Sequence, residues 1–339
     1  MSPTAMPSAD IVFDTLFAYQ RSAALKSAID LEVFTAIDEG DLTAQAIATR
    51  SHATERGVRI LCDYLTVLGL LEKADDHYQL TPEASAFLSK RSPAYLGTTA
   101  QFLLLPGLKN NFDDLTEAIR RGGVAPSGNT VADENPIWVE FARAMAPMMM
   151  PAAFAIADLV ASSSTGSLRV LDLAAGHGMF GVTIAQKSPS AEIVAVDWAP
   201  VLTVAQENAR LAGVQDRYRT LPGDAFKVDF GTGYDVALVT NFLHHFDQAT
   251  CTKFLQKVNH ALKPDGRVVV LELVPNPDRV SPPIPAGFSL TMLAGTPSGQ
   301  AYTLSELRQQ LEDAGFTDIS AHPLPTPQTI VMARKAAAR

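Results

Sequence analysis

The stretch LDLAAGHGMFG, residues 171–181, decides how this chain reads. It places Gly176, Gly178 and Gly181 at G-x-G-x-x-G spacing directly after the apolar run LRVLDL. A glycine turn between a strand and a helix lets a ligand approach main-chain N–H groups at the helix N-terminus. In dinucleotide enzymes that ligand is a pyrophosphate. The spacing permits one here, and Asp197, ending AEIVAVD, could take a ribose hydroxyl. Three features point elsewhere. Asp172, directly ahead of the turn, would repel a pyrophosphate and suits a ligand with an ammonium group. Gly223-Asp224, after RYRTLP, offers a carboxylate to an adenine amino group. Two extended runs, DISAHPL and QTIVMARK, end the chain with only LPTP between them, so they pair antiparallel. A dinucleotide fold does not usually close that way. S-adenosylmethionine carries an ammonium group and no phosphate, so it fits better than NAD. Taken singly, Asp172 could cap the turn and Asp224 could be a turn residue. Three acids at successive strand ends would converge on one crevice of an open parallel sheet. His177, between the glycines, belongs to no set of metal ligands, and no metal site is expected.

Outward from the turn, LRVLDL, AEIVAVD, RYRTLP, YDVALVT and GRVVVLEL are short runs rich in β-branched residues. Helical stretches such as APVLTVAQENARLAGV and DQATCTKFLQKVNHALKP separate most of them. That alternation predicts parallel strands covered on both faces, an α/β class. Before this region the pattern changes. Residues 9–95 read as helices with one small β element, LLEKADDHYQLT, a hairpin around Asp75-Asp76. Helix, helix, helix, hairpin is the order of a winged helix. Residues 96–160 read as helical, broken at LPGLK and at GGVAPSGN. Within them NPIWVEFARAMAPMMMPAAFAIADLV starts at Asn135-Pro136 and carries Phe141, Met145, Met148 and Met149 at helical spacing. It is either a core helix or a soft wall for a flat apolar ligand. SSSTGS, 162–167, is a natural boundary. The expected division is 1–100, 101–160 and 161–339.

The totals exclude several classes. In 339 residues, 47% are hydrophobic, enough to bury a sizeable core. No apolar run approaches a membrane span, and MSPTAMPSAD does not read as a signal peptide. The two cysteines, Cys62 and Cys251, make no zinc spacing and read as free thiols of a cytoplasmic protein. A net charge of -9, with Arg50, Arg56 and Arg59 offset by Glu55 and Asp63, argues against nucleic acid as a partner.

The fourth strand runs into NFLHHFD, 241–247, at the same edge of the sheet. A histidine there can take a proton from a hydroxyl near neutral pH. Glu272, ending the fifth strand, could orient its other ring nitrogen. His244 and His245 could equally just pack at a strand end.

These residues together resemble the class I S-adenosylmethionine-dependent O-methyltransferases of the plant caffeate and isoflavone type, whose bacterial relatives tailor secondary metabolites. The resemblance covers nearly the whole chain. It implies a winged-helix-like, all-α dimerisation domain, a helical bridge and a Rossmann-like methyltransferase sheet with an antiparallel terminal hairpin. It implies a homodimer that moves a methyl group to a hydroxyl of a small aromatic or polyketide-like acceptor and releases S-adenosylhomocysteine. In LHHFDQATCTKFL it aligns His244 with the family's base and His245 with a neighbouring acid, and Glu272 with an orienting acid. For the donor it implies Asp172, Ala174, Gly176, Gly178, Asp197, Trp198, Asp224, Ala225, Phe226 and Asn241. For the acceptor it implies Phe141, Met145, Met148, His245 and Met292. One departure is that QAYT puts Ala301 where the family carries a second orienting acid. That leaves open other chemistry on the same fold, such as decarboxylation, hydroxylation or a pericyclic step. A winged-helix regulator that binds DNA and a ligand is a more distant alternative.

Overall fold

The computed structural model describes residues 8–162 and 166–336. Residues 1–7, most of the stretch MSPTAMPSAD, and Ser163–Thr165 of the expected boundary lie outside the described residues. The chain divides after Leu105 into two compact units.

The first unit runs α1 (Asp10–Leu16), α2 (Ala18–Asp30), α3 (Val33–Asp38), α4 (Ala44–Arg50) and α5 (Glu55–Val67). A hairpin of β1 (Leu71–Ala74) and β2 (His77–Leu80) follows, then α6 (Pro82–Leu88) and α7 (Gly97–Leu103). Threonines start three of these helices. The Oγ1 of Thr43, Thr54 and Thr81 accepts the N–H of Ala46, Gly57 and Ala84. Each such cap contributes about 1 kcal/mol. Phe34, Ile47, Leu65 and Tyr78 fill the core. The hairpin turns at Asp75, which adopts φ 55°. The α1 helix buries nothing: Ile11, Phe13, Leu16 and Phe17 are all exposed.

The second unit opens with α8 (Pro106–Asp113), α9 (Leu115–Arg121), α10 (Ile137–Ala144) and α11 (Ala146–Ser162). The break expected at LPGLK is there: α7 ends at Leu103 and α8 starts at Pro106, where the missing N–H costs nothing. One helical expectation changes. The long helix expected from Asn135 is two helices bent by 67° at Met145. Pro147 supplies no N–H for the carbonyl of residue 143, which favours a break there, although α11 itself continues through Pro151. Among the described residues no single helix is long and apolar enough to cross a membrane; only this bent pair passes by length and composition.

The sheet alternates as the pattern predicts: β3 (Leu168–Leu173), α12 (Met179–Lys187), β4 (Ala191–Asp197), α13 (Ala199–Leu211), β5 (Tyr218–Pro222), β6 (Tyr234–Thr240), α14 (Gln248–Ala261) and β7 (Leu262–Glu272). Then come α15 (Pro283–Gly295), α16 (Leu304–Asp313), β8 (Phe316–Pro323) and β9 (Thr329–Lys335). Strand order is β5-β4-β3-β6-β7-β9-β8. The first five strands in that order are parallel, while β9 is antiparallel to both β7 and β8. Phe254, Leu255 and Val258 of α14 and Leu307 and Leu311 of α16 pack against Val239, Val268 and Val270. The chain winds outward from β3 to β5, then restarts at β6. The switch point therefore lies between the C-terminal ends of β3 and β6, where ligands enter such sheets. Two loops leave the sheet there: the glycine turn and 241–246.

Candidate active site

The glycine turn is held from below by two carboxylates. Asp172 is fully buried in β3, and its Oδ2 accepts the Gly181 N–H at 3.1 Å. Its Oδ1 has no hydrogen-bond partner among the described residues. Burial, with some help from Asp197, pushes this carboxyl up to about 8. Asp172 thus sits beneath the turn and braces it, which is the capping reading, rather than lining the open crevice. Asp197 ends β4. Its Oδ2 accepts the Gly176 N–H at 2.8 Å and its Oδ1 the Trp198 N–H at 2.7 Å. Burial raises it to about 6, and those two bonds oppose the rise. The main chain turns through left-handed conformations at Ala174 (φ 50°), Gly176 (φ 54°) and Gly178 (φ 72°). A Cβ at Gly178 would come within 2.5 Å of the Tyr218 hydroxyl and 2.8 Å of Ala205 Cβ. At Gly176 it would meet the Phe141 ring at 3.7 Å and the Ala174 carbonyl at 4.0 Å, both ordinary contact distances. Gly178 is therefore glycine for close packing, whereas at Gly176, which is partly exposed beside Phe141 of α10, the left-handed main chain is what favours glycine.

Asp224 follows β5. Its Oδ1 accepts the Phe226 N–H at 2.8 Å, and its Oδ2 pairs with the exposed Lys227 at 2.9 Å. Phe226 packs edge-on to Phe246 at 4.8 Å and lies 5.8 Å from Phe242, so the Asp224 loop touches the loop after β6.

That second loop starts at Asn241 in a left-handed conformation, φ 52°. Its N–H donates to Leu271 O at 2.8 Å, and its side-chain Oδ1 accepts from Gln328 at 2.8 Å. Both amides also point an N–H at the Met149 sulfur, at 3.6 and 3.5 Å. A single 3-10 turn then carries His244 and His245, both buried. Glu272 organises that turn. Its Oε1 accepts the main-chain N–H groups of Phe242 (3.1 Å), Leu243 (2.9 Å) and His244 (3.4 Å). Its Oε2 lies 2.5 Å from His244 Nδ1. A carboxylate only accepts, so it selects the Nδ1–H tautomer and leaves Nε2 with a free lone pair.

Aromatic rings line the space around His244. Phe288 of α15 stands edge-on at 4.9 Å and His245 at 4.3 Å. Trp138 of α10 stands edge-on to His245 at 5.2 Å and to Phe141 at 5.7 Å. Phe141 in turn stacks on His177 at 6.4 Å. Burial and the neighbouring His244 hold His245 well below the usual imidazole range, and its Nδ1 has no partner among the described residues. Met145 and Met292 are buried, and Met148 is partly so. Gly299 presses against the His244 carbonyl, which a Cβ there would approach to 2.3 Å. Ala301 is buried and donates its N–H to Ser289 Oγ at 3.1 Å. Among the described residues no group of His, Cys, Asp and Glu could hold a metal ion.

Sequence reasoning missed Trp138, Phe288 and Gln328, and it set aside His177, which the structure stacks on Phe141. Trp138 is three residues before Phe141 and Phe288 four before Met292, so helical spacing could have found both. Nothing local marks Gln328.

Comparison with known proteins decides the family. A model described as the O-methyltransferase domain matches residues 132–317, and one described as the O-methyltransferase dimerisation domain matches 13–90. The chain belongs to the O-methyltransferase family. A Nostoc punctiforme protein assigned to the O-methyltransferases is 48% identical, with a TM-score of 0.94 over 97% of this chain and all of that one. The tetracenomycin polyketide synthesis 8-O-methyl transferase of Streptomyces glaucescens is 29% identical over 332 residues, 96% of each chain. Human N-acetylserotonin methyltransferase, solved in complex with SAM, shares the fold at a TM-score of 0.84 and 22% identity, over 99% of this chain and all of that one. The expected O-methyltransferase activity and the Rossmann-like sheet with its antiparallel terminal hairpin are both borne out.

Proposed function

We propose that this O-methyltransferase moves the methyl group of S-adenosylmethionine to a hydroxyl of a small aromatic or polyketide-like acceptor, with His244 as base. The carrying observation is the Glu272–His244 contact at 2.5 Å, which presents Nε2 as a proton acceptor. The bound donor supplies an electrophilic methyl on a sulfonium. The chain's own residues do the rest. His244 takes the hydroxyl proton through Nε2, and Glu272 stabilises the imidazolium that results. The partly exposed Gly176 side of the turn, with Ala174, Asp172 beneath and Trp198 beside, receives the donor's amino-acid end. Asp197 holds the ribose, and Asp224 with Ala225 and Phe226 holds the adenine. Carboxylates at Asp197 and Asp224 fit a cationic nucleoside and oppose a pyrophosphate, while Asp172, buried beneath the turn and raised to about 8, adds no charge near neutral pH. Asn241 shapes the floor between donor and base.

Phe141, Met145, Met148, His245 and Met292 line the acceptor chamber, with Trp138 and Phe288 added by the structure. Flat aromatic walls suit a planar acceptor, and the Streptomyces relative is named for a polyketide. His244 is oriented without an acid at 301, so Ala301 calls for no other reaction. In the expected three-part division, 1–100 forms the homodimer, 101–160 lines the acceptor and 161–339 binds the donor. The exposed apolar face of α1 supports that dimer. Cys62 and Cys251 are both free, which suits the cytoplasm.

The test is His244→Ala. We expect kcat to fall by about 10²-fold or more with donor affinity unchanged. Turnover within a few-fold of wild type would refute the base assignment.

A further inference from the structure

Lys257 belongs to neither the glycine turn nor the His244–Glu272 pair. It sits on α14, the helix that leaves the catalytic turn, and reaches back to the loop after β5. Its Nζ donates to three main-chain carbonyls of that loop: Ala225 at 3.0 Å, Phe226 at 3.0 Å and Val228 at 2.7 Å. It also lies 4.5 Å from the centre of the Phe230 ring. An ammonium has three donors, and all three are spent on one loop. Three carbonyl dipoles aimed at one point repel each other unless a cation stands there. Burial pulls this lysine below its ordinary pKa, while Asp224 and Asp229 act on it in the other direction.

The loop it gathers has two duties. It carries Asp224, whose Oδ1 is fixed by the Phe226 N–H. It also carries the Phe226 ring, which packs on Phe242, Phe246 and Phe254. We propose that Lys257 is a positioning residue for the methyl donor: it fixes residues 225–228 so that the Asp224 carboxylate faces the nucleoside base. This rests on the reading of Asp224 as the adenine ligand.

The test is calorimetry with S-adenosylhomocysteine and its deaminated analogue S-inosylhomocysteine. It uses the full-length wild type, Lys257→Met and Lys257→Arg. Methionine keeps the stem against Phe230 and removes every donor; arginine keeps charge and donors. Wild type should prefer the adenosyl ligand, because a carboxylate accepts from its amino group and not from the inosine carbonyl. Lys257→Met should bind S-adenosylhomocysteine about 10-fold more weakly and lose most of that preference. Its kcat at saturating donor and its KM for the acceptor should stay within about 2-fold, and Lys257→Arg should restore most of the affinity. Lys257→Gln, which keeps two donors, should fall between and serves if the methionine variant does not fold. Wild-type affinity and preference in Lys257→Met would overturn the role of Lys257 alone. So would a loss shared equally by donor binding, acceptor KM and kcat. Equal binding of both ligands by wild type would overturn the Asp224 reading, and this proposal with it.

Discussion

Replacing Glu272 by glutamine tests the catalytic geometry with a single-atom change. Glu272 faces two demands: three main-chain N–H groups on Oε1 and the His244 ring on Oε2. A carboxylate meets both by accepting. A carboxamide can accept on one side only. If its NH2 faced the main-chain side, buried N–H groups would lose their acceptor, at about 1–3 kcal/mol each. The favoured arrangement therefore keeps oxygen on the main chain and turns the NH2 toward Nδ1. Nδ1 must then accept, so the proton moves to Nε2, and His244 no longer presents a base to the hydroxyl. Loss of a positioned base costs about 10²–10⁴-fold in kcat, or about 2.7–5.4 kcal/mol of barrier. The main-chain bonds survive, so unfolding free energy should shift by less than about 1.5 kcal/mol. Donor affinity, set at the other side of the switch point, should not move. Steady-state kinetics on a phenolic acceptor turned over by wild type, with urea unfolding and S-adenosylhomocysteine calorimetry alongside, measures all three. A Glu272→Gln enzyme within about 3-fold of wild-type kcat would refute the tautomer argument.

Three further outcomes follow from the same structure. Gln310 is fully buried in α16, with neither amide atom partnered among the described residues, so Gln310→Met should raise stability by about 1–3 kcal/mol in urea unfolding; a loss would show that the amide is satisfied. Burial holds the Asp172 proton in the folded chain up to about pH 8, while the unfolded chain releases it near the ordinary aspartate value of 3.8. The unfolded state therefore binds fewer protons between those values, and the ligand-free protein should lose stability as pH rises from about 4 to 8; Asp172→Asn should flatten that slope, and an unchanged slope would contradict it. Leu16, 60% exposed on α1 beside Phe13 and Phe17, should lie in the dimer, so Leu16→Asp should sediment as a monomer where wild type sediments as a dimer.

Much of the fold was legible because its signals are local. AEIVAVD and YDVALVT are β4 and β6 to the residue, and the two-residue turn at Asp75-Asp76 is where the hairpin bends. The break at LPGLK was legible too, since α7 ends at Leu103 and α8 starts at Pro106. The failure was also local, at a proline: the apolar spacing carried one helix through Met145 and Pro147, where the structure has two. Strand β7 begins at Leu262, ahead of its apolar run, because its pairing with β6 shifts between Tyr234 and Val236. In the site, the acids were found by their place at strand ends, but their direction was not. Asp172 points down into the Gly181 N–H, since a side chain in a strand interior faces one side of the sheet or the other and spacing alone does not say which. Gln328 meets Asn241 across 87 residues and Met149 across 179, and such pairings exist only once the sheet has formed. Lys257 escaped for the same reason.

The central claim is that the crevice between β3 and β6 delivers a sulfonium methyl to an oxygen that His244 deprotonates. Incubation with S-adenosylmethionine carrying a trideuterated methyl, followed by mass and NMR analysis of the product, tests it most directly. The account predicts one labelled methyl, on oxygen, and a strongly reduced yield from His244→Ala. An unlabelled product, a label on carbon, or equal yields from the two proteins would contradict it.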